Sequence, residues 1–263
     1  MMERKKTLLI IPAHNEEKSL QHVFDSLAAY KVFDFADLLV INDASEDQTA
    51  KIARNNQAAC ITFTYNLGYG SALQAGYKYA RKYGYEYLIQ MDADGQHDAC
   101  NIRPIYEELC REEGPDIVLA SRFIPGSAPY KTSAAMRFGF SWFKGIVHLL
   151  GGIRINDSTT GLQGLNQRAF CYYAGYDHFD AKYPDANMIL QMHLLGYQMK
   201  EIPAVMHSRE HGRGMHAGVI RPIKYMLRST AAVFAVWLRM RLLDRQSGVL
   251  PVKQEKYQDV QAG

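Results

Sequence analysis

Tyr87-Leu-Ile-Gln-Met-Asp-Ala-Asp-Gly-Gln-His97 decides the fold. An apolar run of strand character ends in two carboxylates, Asp92 and Asp94, one residue apart. Residues i and i+2 of a strand point the same way. At the carboxyl end of a strand both acids therefore face one spot. Two carboxylates so placed repel unless a cation stands between them. A hard divalent cation, Mg²⁺ or Mn²⁺, carrying a diphosphate suits that all-oxygen donor set. The alternative is a pair of loop-capping aspartates, and the surrounding sequence has to decide between the two.

Upstream, strand and helix signals alternate. Apolar runs at Thr7–Ala13, Asp37–Asn42, Ala59–Tyr65, Tyr85–Met91 and Asp116–Ser121 read as strands. Glu16–Tyr30 has helical spacing through Leu20, Val23, Phe24 and Leu27, and Gly68–Tyr83 is a helix entered through glycines. The polar loop Asp43–Asp47 caps a further helix. Repeated strand and helix predict a mostly parallel sheet covered by helices on both faces. Ligands of such sheets bind beyond the carboxyl ends of the strands. Asn15-Glu16, Asp43, Asn66, Asp92-Asp94 and Ser121-Arg122 all fall there, and that shared placement argues for an active site.

The regularity weakens after residue 125. Gly126–Lys131 reads as a loop and Met136–Leu150 as a helix against the site. Asp157–Gly161 is a polar loop before a short strand. Ala181–Leu195 reads as a helix and Tyr197–His207, with Pro203, as an edge strand. Residues 220–243 have helical spacing through Ile220, Ile223, Leu227, Phe234, Leu238 and Leu242, with basic residues accompanying them. Such a helix lies on an anionic membrane surface or packs on the domain or a second copy.

The chain has 263 residues, 48% apolar and 22% charged, enough for a substantial core. A net charge of +3 gives no nucleic-acid footprint. Cys60, Cys100, Cys110 and Cys171 form no metal or redox pair and read as buried thiols of a reducing compartment. The first apolar run is too short and too soon interrupted by Pro12 for a signal peptide, and no run of 18 apolar residues predicts a membrane span.

Ile11-Pro-Ala-His-Asn-Glu-Glu17, Val40-Ile-Asn-Asp-Ala-Ser-Glu-Asp-Gln-Thr49, Asn66-Leu-Gly-Tyr-Gly70 and Met91-Asp-Ala-Asp-Gly-Gln96 follow in order. Together they resemble the family 2 glycosyltransferases, whose GT-A fold is an α/β, Rossmann-like, mostly parallel sheet. Within that family they look like the dolichyl- and polyprenyl-phosphate sugar transferases. The resemblance runs over residues 7–214. It implies inverting transfer of a sugar from a nucleotide diphosphate sugar, a UDP- or GDP-sugar. The acceptor is left between a polyprenyl phosphate and a cell-surface glycan precursor.

The same resemblance implies roles. Pro12, Ala13 and Glu16 line the base and ribose pocket, and Asp43 bonds the nucleoside. Asp92 contacts ribose or metal, Asp94 binds the metal (Mg²⁺ or Mn²⁺), and Gln96 stands beside it. Arg122 faces phosphate. Asp157, opening Asp-Ser-Thr-Thr-Gly-Leu-Gln163, is catalytic or positions the acceptor, with Asp185 as the alternative base. Ser208–Met215 resembles a loop that closes over the diphosphate, bringing Arg209 and Arg213 to phosphate, with His211 a further metal candidate. Asn66–Gly70 reads as a structural turn. His14, His22, His97, His148 and His193 read as surface or packing residues. Departure of a nucleoside diphosphate builds negative charge that a metal stabilises, and an arginine fork binds phosphate oxygens. A lipid phosphate is already anionic near neutral pH and needs little general-base help, unlike a sugar hydroxyl.

These readings predict a catalytic domain over residues 1–214, a basic amphipathic helical extension over 215–246 and a disordered tail over 247–263. They place the protein in the cytoplasm, with peripheral contact to the inner membrane face and self-association left open. A sugar nucleotidyltransferase is disfavoured because Pro-Ala-His-Asn-Glu-Glu, not a glycine-rich loop, follows the first strand. A nicotinamide dehydrogenase is disfavoured because Gly68-Tyr-Gly70 lacks the third glycine. A nucleotide-binding scaffold for a membrane protein remains the non-enzymatic rival.

Overall fold

A computed structural model describes residues 5–208 and 220–247. Its elements run β1 (Thr7–Ala13), α1 (Leu20–Ala29), β2 (Ala36–Asn42), α2 (Thr49–Asn55), β3 (Ala59–Thr62), α3 (Tyr69–Lys82), β4 (Tyr87–Gln90), α4 (Ile102–Leu109) and β5 (Ile117–Ser121), in that order. Then come α5 (Ala134–Gly151), β6 (Gln163–Asn166), α6 (Gln167–Tyr173), α7 (Ala186–Leu194), β7 (Met199–Pro203) and α8 (Ile220–Ser247). The seven strands form one sheet in the order β3-β2-β1-β4-β6-β5-β7. β6 alone runs against its neighbours β4 and β5.

β1 alternates its buried residues between the two faces, as the strand period requires. Leu8 and Ile10 join α3, α6 and α7 in one core through Leu73, Phe170 and Met188. Leu9 and Ile11 join α1 and α4 in the other through Leu20, Val23 and Ile105. A third cluster, with Phe143, Val147, Leu190 and Val233, welds α5, α7 and α8 into a flank outside the sheet. The strand order reverses where β1 pairs with both β2 and β4. The carboxyl ends of β1 and β4 at that switch point are the usual ligand site of such sheets.

The expected elements are present, with shifted bounds. The first helix starts at Leu20 because Glu16–Ser19 forms a turn closed on the Glu16 carbonyl. The fourth strand stops at Gln90, so Asp92 and Asp94 stand on the turn after it rather than in register along it. The seventh helix starts at Ala186, because Asp180 caps the backbone of Lys182 and Tyr183 into a loop. α4 and α6 were not expected from the sequence; Pro104 of α4 is tolerated because it lies in the first turn. The cysteines are free, but not buried as expected: Cys110 is exposed and the other three are half-buried. Arg209, His211, Arg213 and the tail after Ser247 lie outside the described residues.

Candidate active site

The site grows from two stitched loops. Asn15, at φ +56° after β1, receives the Glu46 amide on its side-chain oxygen (2.9 Å) and donates its own amide to Ser45 Oγ (3.0 Å). The Glu16 and Glu17 amides donate to Thr49 Oγ1 and Asp47 (2.9 and 3.1 Å). These bonds fix the rim beyond β1 and β2 against each other. Pro12 and Ala13 are buried at the end of β1, while Glu16 is half-buried and accepts from Ser19 Oγ at 2.8 Å.

Asp43 is buried and uses both carboxylate oxygens on backbone donors, the amides of Leu67 (2.7 Å) and Gly68 (2.8 Å). It thereby holds the entry to α3. Gly68 sits at φ +92°, and a side chain at Gly70 would strike the carbonyl oxygen of Asp180 at 2.3 Å. The two glycines are thus required by the turn and by the close approach of the loop before α7.

The α3 entry carries Tyr69, whose hydroxyl donates to Asp92 Oδ1 at 2.8 Å. Burial, and then the charge of Asp92, hold that phenol protonated by raising its pKa well above the ordinary value. On the other side His97 Nδ1 accepts the Asp92 amide at 3.1 Å, which puts the neutral ring's proton on Nε2, 3.7 Å from Asp92 Oδ2. Burial lowers the His97 pKa to about 4, with Asp94 and Asp157 opposing and Arg122 reinforcing the shift. His97 is therefore neutral at physiological pH, and of the two readings, surface or packing, its burial beside Asp92 meets the second. Asp94 accepts the Gln96 amide at 3.0 Å, and Gln96 Nε2 donates to Tyr130 at 3.3 Å. Gly161 passes so close that an added Cβ would lie 3.0 Å from Asp92 Oδ2.

Arg122, just past β5, is locked to Asp157. Its Nε and Nη2 donate to the two carboxylate oxygens at 2.7 and 2.6 Å, and its amide donates to the same acid at 3.0 Å. The guanidinium lies within 4.6–5.4 Å of the ring centroids of Phe140, Phe123 and Tyr130. Burial opposes its charge, but Asp157 outweighs that and raises its pKa. The two residues read separately from the sequence are thus one unit, and Asp157 is almost fully buried within it.

Asp185 precedes α7. Crowding by the protein pushes its pKa up to about 6; Tyr225 of α8, which donates its hydroxyl to Oδ2, acts to lower it, while the Asp92 and Asp180 charges raise it. The site therefore holds one strongly paired acid, Asp157, and one whose proton affinity lies near neutrality.

Asp92 and Asp94 are oxygen donors next to an amide side chain, a set that suits Mg²⁺ or Mn²⁺. Among the described residues no group of three or more His, Cys, Asp or Glu side chains could hold a metal ion. An ion here fits only with the remaining oxygens supplied by water or a diphosphate, as is usual for Mg²⁺. Three contributors were not singled out from the sequence. His97 follows Gln96 directly and was legible as part of that motif; Tyr69 had only the glycine-entered helix to mark it; Tyr225 carried no local signal.

Comparison with known proteins identifies the family. The signature described as "Glycosyl transferase family 2" matches residues 8–171. The chain is 29% identical over 226 residues to undecaprenyl-phosphate mannosyltransferase of Micrococcus luteus, covering 82% of this chain and 89% of that protein. It is 29% identical over 189 residues to UDP-N-acetylglucosamine–dolichyl-phosphate N-acetylglucosaminyltransferase of Methanococcus voltae, covering 64% and 72%. Glucosyl-3-phosphoglycerate synthase of Mycobacterium tuberculosis, crystallised with Mn²⁺, UDP-glucose and phosphoglyceric acid, superposes with a TM-score of 0.67 at 14% identity over 89% of this chain and 80% of that one. The fold is the expected GT-A fold, and the chain belongs to glycosyl transferase family 2.

Proposed function

We propose that this glycosyltransferase moves a sugar, with inversion, from a UDP- or GDP-sugar to a polyprenyl phosphate. Asp92, Asp94 and Gln96 are assigned to a divalent ion, which when bound stabilises the charge on the departing diphosphate. Tyr69 and His97 hold Asp92 in place for that task. The paired Asp157 positions Arg122, leaving Asp185 as the base. As the acceptor oxygen bonds to the anomeric carbon, the bond from that carbon to the diphosphate oxygen breaks, and its electron pair leaves with the nucleoside diphosphate. Any proton on the acceptor passes to Asp185. The second ionisation of a phosphate monoester also lies near pH 6, so that transfer is close to balanced. Arg209 and Arg213 remain assigned to the diphosphate, and Pro12, Ala13 and Glu16 to the nucleoside. Asp43, having both oxygens on the amides of Leu67 and Gly68 before α3, supports that pocket through the loop.

The observation that carries the reading is the meeting of Asp92, Arg122 and Asp185 at one site, close enough that the charges of Asp92 and Arg122 act on Asp185. The lipid acceptor is supported by the flank. α5 and α8 lie side by side, joined by Trp142 Nε1 to Thr230 Oγ1 at 3.0 Å. They expose Phe138, Trp142 and Leu149 on one helix and Leu227, Phe234 and Leu238 on the other. Arg137, Lys144, Lys224 and Arg228 on the same two helices are exposed as well. Exposed apolar residues with cations on the same helices suit an anionic bilayer surface, and among the described residues no helix is long and apolar enough to cross one. Phe140 of α5 also packs on Arg122, so the same helix touches the site.

Titration calorimetry with UDP, GDP and their sugars, with Mn²⁺ and with EDTA, followed by transfer to undecaprenyl phosphate, tests the proposal. Metal-dependent binding of one nucleotide and lipid-linked product are expected. A folded protein that binds none of them returns the reading to a scaffold.

A further inference from the structure

α8 lies beyond the stretch matched by the family signature, yet it reaches the site through one side chain. Tyr225 is half-buried, with its ring edge-on to Phe143 of α5 (6.2 Å between centroids) and to Tyr183 before α7 (5.8 Å). Those two rings fix the direction in which the hydroxyl points, and it points at Asp185 Oδ2. The backbone of Asp185 is held separately, its amide donating to Asn187 Oδ1 at 2.9 Å. Its side chain makes no capping bond to α7. The carboxylate is thus oriented from a helix 40 residues further on, while its own helix fixes only its backbone.

We infer that Tyr225 is a positioning residue for the reaction: its hydroxyl aims the Asp185 carboxylate into the site, which is complete only when α8 is seated on α5 and α7. This rests on the assignment of Asp185 as the base. The charged and titratable groups acting on Asp185 come from every side. Tyr225 is on α8, Asp180 in the preceding loop, Asp92 after β4 and Arg122 after β5, and Tyr69 faces it from α3. Of these, Tyr225 is the group whose hydrogen bond favours the ionised acid, and a donor removed from a carboxylate raises its pKa. A base that keeps its charge but loses its aim loses rate in the chemical step and leaves substrate binding alone.

Tyr225→Phe removes the hydroxyl and keeps the ring between Phe143 and Tyr183. The test compares wild type, Tyr225→Phe, Asp185→Asn and the double variant as full-length chains. It follows transfer from UDP-N-acetylglucosamine and from GDP-mannose to undecaprenyl phosphate in micelles. In parallel, the Asp185 carboxyl is followed by ¹³C NMR titration of the metal-free protein, which needs no substrate. For Tyr225→Phe we expect kcat to fall roughly 10- to 100-fold, donor KM to stay within about twofold, and both the acid limb of kcat and the NMR midpoint to move to higher pH. Asp185→Asn should be slower still, and the double variant no slower than Asp185→Asn. An unchanged kcat and an unchanged midpoint in Tyr225→Phe, with Asp185→Asn inactive, overturn the positioning role and leave Asp185 as base. Full activity in Asp185→Asn overturns both.

Discussion

Asp43 and Asp157 are both buried carboxylates beside strand ends, and they are satisfied by opposite means. Asp43 accepts two backbone amides from the loop before α3. Asp94 and Asp98 follow the same habit, capping amides two residues on. Asp157 instead holds a guanidinium 35 residues away, and Asp185 takes a phenol 40 residues away. In the β1–β4 half Asp43, Asp94 and Asp98 each accept backbone amides, two residues on for Asp94 and Asp98 and 24 and 25 residues away for Asp43. In the flank of α5, α7 and α8 the acids are fixed by side chains that only the finished tertiary structure brings together. Asp43, Asp94 and Asp98 thus lean on backbone donors, and Asp157 and Asp185 on side-chain donors.

The sharpest way to break that contrast is to remove one acid from each half. Asp157→Ala leaves the Arg122 guanidinium half-buried and unpaired, and loss of one partner of such an ion pair costs about 3–5 kcal/mol. Asp43→Ala strands two amides that water can partly reach, at about 1–3 kcal/mol. Urea denaturation of the two variants should rank Asp157→Ala as the more damaging. The reverse order would mean that the backbone donors held by Asp43 matter more to stability than the side-chain pair of Arg122 and Asp157.

This division explains what was legible in the chain. Asp94 and Gln96 were readable because they act on each other two residues apart; Asp92 and the glycines of Asn66–Gly70 stood out as motifs, although Tyr69 and the loop at Asp180 that they meet are distant in sequence. The alternation of strands was readable because Leu8–Ile11 feeds both cores. The pairing of Arg122 with Asp157 was not, although both residues stood out singly, because sequence spacing carries no information on which side chains meet across β5 and the loop before β6. Tyr225 was hidden for the same reason. On α8 the stripe through Ile223, Leu227, Phe234, Leu238 and Leu242 was read correctly as helical, yet those residues are exposed. The helix is seated by Ser229, Val233 and Met240 on its other side. Periodicity finds a helix but does not say which of two apolar stripes is buried.

A second, smaller effect sharpens the comparison. The folded protein raises the Asp185 pKa from 3.8 to about 6. Between those values the folded state binds more protons than the unfolded one, so this group's contribution to stability falls as pH rises through the window. Above pH 6 its ionised form costs roughly 2–3 kcal/mol. Asp185→Asn should therefore melt higher than wild type at pH 8, an advantage that disappears near pH 4, while transfer is lost. Calorimetric melts across that range check the sign. An Asn variant less stable than wild type at pH 8 would show that the Tyr225 bond outweighs the cost of the crowded charge.

The smallest expected effect concerns the outer surface of the flank. Leu227→Glu alters an exposed side chain that makes no part of the site. Such changes usually shift stability by under about 0.5 kcal/mol, and calorimetric affinity for the nucleotide should not move. Burying a leucine in lipid contributes about 1.5–3 kcal/mol, and a new anion is repelled by an anionic bilayer. Sedimentation with vesicles of phosphatidylglycerol and phosphatidylethanolamine should thus show binding by wild type and its loss in Leu227→Glu, at equal donor affinity. Donor affinity that falls together with vesicle binding would mean that α8 reports to the β1–β4 half as well. The two halves would then be one device.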